Sequence, residues 1–121
     1  MRSQMLATIV AAVLVLALDA HGQSARQLSS ALECKIGPIT KTYGGTKWLV
    51  YSCSDTHTLV VVSAPDSPAS PFYFLFAPEN DGYRLHGEGT GNKSATDAAY
   101  KELSALSEGD VVSLIAETKK H

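Results

Sequence analysis

Residues 33–53 read "ECKIGPITKTYGGTKWLVYSC" and hold both cysteines of the chain, Cys34 and Cys53, with Gly44-Gly45 between them. Two β-prone runs around a glycine pair are the signature of a β-hairpin. A turn centred on Tyr43-Gly44 sets position 34 opposite position 53. That register gathers Cys34, Ile36 and Pro38 with Leu49, Tyr51 and Cys53 on one face. It puts Lys35, Gly37, Ile39 and Lys41 with Thr46, Trp48 and Ser52 on the other. A slip of one residue would mix the faces, so the pattern admits this register or one two residues away. Pro38 has no N–H to give to a ladder, which makes its strand an edge or a broken strand.

Working outward, Ser54 to His57 is a turn, and "TLVVVSA" (58–64) is a strand apolar on both faces. "FYFLFA" (72–77) repeats that pattern with the largest apolar content of the chain. Both are expected to be buried on two sides. "PDSPASP" (65–71) between them is a loop, because its prolines remove donors and fix φ. "PENDG" (78–82) is a turn. "YRLHGEG" (83–89) alternates: Tyr83, Leu85 and Gly87 face one way, Arg84, His86 and Glu88 the other, as in a half-exposed strand.

Beyond Gly91 the period lengthens. Ser94-x-x-Asp97 reads as a helix start, followed by Ala95, Ala98, Ala99, Leu103 and Leu106. Ser107-x-x-Asp110 starts a second helix with Val111, Leu114, Ile115 and Thr118 on one stripe. Strands first and helices last predict an α+β domain over 33–121. It has an antiparallel sheet of about five strands, followed by two short C-terminal helices packed on one face.

The first residues have a different character. Arg2 precedes a charge-free apolar run, Met5 to Leu18, and the small-residue stretch "DAHGQSA" follows. This is the layout of a secretory signal peptide over residues 1–22, with cleavage after Gly22 or Ser24. Asp19 ends the run short of the roughly 20 apolar residues a spanning helix needs. Residues 23–32 read as a flexible lead-in. The chain is thus expected in the periplasm or outside the cell. Its net charge of −2 offers no basic patch for nucleic acid and no polybasic segment for lipid. No membrane attachment is expected after cleavage.

Export bears on the cysteines. A redox pair wants close spacing and a helix N-terminus beside one thiol. A metal site wants further ligands, and no His or Cys cluster accompanies these two. An even cysteine count in an exported chain points to a disulfide, Cys34–Cys53. No cofactor or metal is expected.

Other candidates are weaker in pattern. "GEGTGNKSATD" (87–97) sits between a strand and a helix and ends in Lys-Ser, like a P-loop. However, Asn92 stands where that motif requires glycine before Lys93. The glycines read as a tight strand-to-helix passage, with Lys93 and free helix N–H groups as a secondary anion site. His86, between Arg84 and Glu88, is the best-placed histidine for a small hydrolase. No G-x-S-x-G elbow or paired carboxylates support such chemistry, and no catalytic residue is assigned. Trp48, if exposed beside Ile39 and Val50, is a binding anchor.

"VYSC" followed by "TLVVV" resembles the Y-x-C … L-x-V opening of the small periplasmic C-type lysozyme inhibitors, which close a β-barrel. Their Ser-Gly-x-x-Tyr inhibitory motif is replaced by "GTGNKSATDAAY", so the resemblance assigns no residues. It implies inhibition of an envelope-active enzyme such as lysozyme as one form of binding. The function expected is therefore that of a small exported, non-enzymatic protein that binds a protein or a small anion through Trp48, His86 or Lys93.

Overall fold

A computed structural model describes residues 32–121. The expected signal peptide and all but the last residue of the lead-in lie outside the described residues. Five strands come first: β1 (Ile36–Tyr43), β2 (Thr46–Ser52), β3 (Leu59–Ser63), β4 (Phe72–Glu79) and β5 (Gly82–Gly89). Two helices follow, α1 (Lys93–Ser104) and α2 (Glu108–Thr118). The strands form one antiparallel meander in the order β1-β2-β3-β4-β5, with β1 and β5 at its edges among the described residues. The barrel that the lysozyme-inhibitor resemblance implies is not formed.

The first hairpin turns at Gly44-Gly45, with φ of 60° and 79°, one residue later than expected. Both positions are in the left-handed region that two-residue hairpin turns need. The pairing runs from Tyr43↔Thr46 to Ile39↔Val50, then shifts between Ile39 and Ile36, which faces Ser52. This bulge, at Gly37-Pro38, adds a residue to β1 where proline cannot serve the ladder. It brings the pairing back towards Cys34 opposite Cys53, and the two form a disulfide.

From Ile39 to Tyr43 and their partners the two faces of this hairpin contain the residues expected of them. Beyond the bulge, Ile36 pairs with Ser52 and so falls on the Trp48 side, not with Tyr51 and Cys53 as expected. What the sequence left open is which face the helices cover. They cover the Trp48 face. Trp48, Val50, Leu59, Val61, Phe74, Leu103 and Val111 are almost completely buried there, and Ile39, Phe76, Ala99 and Ile115 join them. Trp48 lies against Phe74 (centroids 5.2 Å apart), and its indole N–H donates to Tyr43 O and Thr46 Oγ1, each at 3.1 Å. A buried indole needs such a partner.

Each helix is started by a side chain. Asn92, not Ser94, caps α1: its Oδ1 accepts from the backbone N–H groups of Ser94 and Ala95. Ser107 caps α2, and Asp110 returns a bond to the Ser107 N–H to complete the capping box. At the far end of α2 the buried Thr118 hydroxyl donates to Ile115 O (2.6 Å). Its proton is thereby committed, so the buried Ser52 hydroxyl donates to Thr118 Oγ1 at 2.6 Å and ties β2 to the helix. Lys41 on β1 pairs with Glu117 of α2 at 3.1 Å.

Candidate functional site

Both helices lie on one face, so the expectation that β3 and β4 are buried on two sides does not hold. Val60, Val62 and Leu75 are only half-buried, and Tyr73 is 40 % exposed. Among the described residues no second layer covers that face.

The strand register turns this open face into two cross-strand rows. One row runs Thr40, Leu49, Val62, Tyr73, Glu88 across the five strands. The other runs Tyr51, Val60, Leu75, His86 across four. Directly opposed residues share a face and touch, so the middle of each row is a continuous apolar strip. Threonine bounds one end and a histidine and a carboxylate bound the other. This is an apolar centre with a polar rim, the layout of a recognition surface.

A shallow groove of about 770 Å³ deepens the Tyr73 end of the patch. Its walls are Val60, Val62, Pro65, Pro71 and Tyr73, with Glu88 at the rim. The proline loop forms one wall because it is pinned. Ala69 is fully buried, Asn92 N–H donates to Pro68 O, and Thr90 and Gly91 N–H groups both donate to Pro71 O. Gly91 passes so close to this loop that a Cβ there would lie 1.7 Å from Ala69 O. Only glycine permits that approach. This glycine therefore serves packing, and the passage into α1 leaves no P-loop cradle.

The sequence-derived candidates are not brought together. Trp48 is core, not a surface anchor, because the helices close over it. Lys93 begins α1 on the opposite side of the sheet, and the N–H groups of Ser94 and Ala95 beside it are already bonded to Asn92. His86 is exposed on the rim of the open face, in β5. The groove beside Tyr73 takes in Glu88 but neither His86 nor Lys93.

The polar groups of the rim are engaged with one another. Arg84 donates to Glu79 at 2.7 Å, away from His86. Tyr73 Oη donates to Glu88 at 3.2 Å, and that carboxylate's charge raises the phenol above its usual range, the reverse of nucleophile activation. In the 54–58 turn, Asp55 is spent on its own backbone. It accepts from His57 N–H (3.0 Å), Thr58 N–H (2.9 Å) and Thr58 Oγ1 (2.5 Å). Among the described residues no three His, Cys, Asp or Glu side chains gather as metal ligands.

The residues that sequence reasoning missed are Leu49, Tyr51, Val60, Val62, Tyr73 and Leu75. A signal for them was present. Two apolar-faced sheet sides need two covering layers, and two short helices supply one. Comparison with protein-family models, curated proteins and solved structures finds no match to this chain.

Proposed function

We propose that this is an exported, non-enzymatic binding domain whose partner is a protein seated on the helix-free sheet face. The observation that carries the reading is the pair of apolar cross-strand rows, Leu49-Val62-Tyr73 and Tyr51-Val60-Leu75, which no other element covers among the described residues. Contiguous apolar surface that is partly open to solvent, with a polar rim, is the pattern of interaction sites on folded proteins. The flat relief and apolar groove suit a protein surface, while Glu88 at the groove's rim disfavours an anion. Export rests on the residue pattern of 1–22, and the Cys34–Cys53 disulfide is compatible with an oxidising compartment.

The test is capture from envelope extract with three baits. Wild-type chain and Val112→Lys, altered at an exposed position on α2, are expected to retain the same stoichiometric protein. Val62→Lys, altered at the centre of the open face, is expected to lose it. Retention by Val62→Lys would overturn the reading. Turnover of an ester or glycan that His86→Ala abolishes would replace it with the hydrolase.

A further inference from the structure

We infer that β5 is a self-pairing edge, and that two copies of this chain join antiparallel through it into one continuous sheet. The two edges of the sheet are not alike. β1 carries the Gly37-Pro38 bulge, the kind of device that blunts an edge. β5 pairs with β4 at eight successive positions, from Phe72↔Gly89 to Glu79↔Gly82, without a shift. It contains no proline and no lysine, and Gly87 and Gly89 are exposed.

The hydrogen-bond phase follows from the hairpin. A two-residue turn makes Glu79 and Gly82 the closing bonded pair, and Thr90 N–H donates to Pro71 O in the same phase. Even-numbered residues therefore bond inward to β4. Tyr83, Leu85, Gly87 and Gly89 present their N–H and C=O groups outward. Among the described residues no backbone group bonds to them there.

A two-fold axis at His86 satisfies this phase and the side chains together. It sets Leu85 against Gly87 and Tyr83 against Gly89 as hydrogen-bonded pairs. On that face each large side chain stands beside a residue with none, so no side chains collide across the axis. The faces of Gly87 and Gly89 are already covered by Phe72 and Phe74 of the same chain. The same register sets Arg84 directly opposite Glu88 of the second copy, at the non-bonded positions where side chains approach most closely. Opposite charges there favour pairing and like charges oppose it. Arg84 would then lie between Glu79 of its own strand pair and the second copy's Glu88. The pairing leaves the open apolar face uncovered and extends it across the axis, so it does not depend on the proposed partner site.

Sedimentation equilibrium with charge-reversed chains tests this. Wild type is expected to dimerise reversibly, with slowed amide exchange at Leu85 and Gly87. Arg84→Glu leaves carboxylates facing carboxylates, and Glu88→Arg leaves cations facing cations. Each alone should weaken self-association roughly tenfold. An equimolar mixture of the two variants has both pairs complementary and should regain the wild-type dimer as a heterodimer. A monomeric wild type, single variants that dimerise like wild type, or a mixture that fails to associate would each overturn the proposal. Since both variants must be folded for the mixture to associate, its recovery also excludes misfolding as the cause of the single-variant loss.

Discussion

Asp55 is a residue whose surroundings oppose one another. Partial burial pushes its carboxyl up, but hydrogen bonds from the Thr58 hydroxyl and from the His57 and Thr58 N–H groups outweigh it and hold the carboxyl below its usual range. A lowered folded-state pKa gives stability that is present above the unfolded value and lost as pH falls through the folded one. Asp55→Asn should therefore unfold at lower denaturant than wild type at neutral pH. The gap should close as pH drops below about 4, the ordinary carboxylate range. A gap that widens in acid would contradict this. Next to it, Thr56 has φ of 62°, a left-handed conformation that a β-branched residue resists. Thr56→Gly is expected to raise stability by up to ~1 kcal/mol in urea unfolding. These properties are not legible in "SDTH" beyond its being a turn, because they arise from which donors the turn turns inward.

At the scale of the element, the two glycines of the first hairpin turn are unequal. Gly45 needs only its positive φ, and a Cβ there meets nothing within 4 Å. A Cβ on Gly44 would lie 2.5 Å from Ala99 N and 2.7 Å from Ala98 C, inside the α1 backbone. Gly45→Ala should cost about 1 kcal/mol in thermal or denaturant unfolding, from backbone conformation alone. Gly44→Ala should cost clearly more, because the hairpin must move off the helix as well. Equal costs would mean the turn does not pack there. The strands and helices themselves were legible, since alternation, turn residues and the 3.6-residue stripe all agree. The register was legible only to within two residues. A Tyr43-Gly44 turn sets Cys34 opposite Cys53. The observed Gly44-Gly45 turn would by itself set Cys34 opposite Asp55, and the Gly37-Pro38 bulge takes back enough of that shift for the cysteines to meet. The start of α1 was misplaced for a related reason. Asn92 and Ser94 are both strong caps, and the pinned proline loop decides between them by holding the Asn92 N–H.

For the whole molecule, the decisive fact is that one helical layer serves a sheet that is apolar on both sides. The disulfide holds this arrangement at its broken edge. Replacing Cys34 and Cys53 together with alanine should lower stability by ~3 kcal/mol in the chain-entropy account of a loop this long. An unchanged denaturation midpoint would contradict that role. Trp48→Ala should cost about 3–5 kcal/mol, the value for a large aromatic removed from a core, whereas an exposed anchor would cost little. The pattern at Trp48 could not separate these outcomes, because Ile39, Trp48 and Val50 look the same in text whether helices or a partner cover them. The candidate site was hidden for the same reason: Val60, Val62 and Leu75 read as core until the covering layer is assigned to the other side. The central claim is that binding occurs on the face the helices leave open. Tyrosine footprinting tests it most directly, comparing the chain alone with the chain saturated by its captured partner. Tyr73 on the open sheet face and Tyr100 on α1 are both well exposed, at 40 % and 50 %. The account predicts that the partner protects Tyr73 and leaves Tyr100 labelled as before. Protection of Tyr100 with Tyr73 unchanged would contradict it.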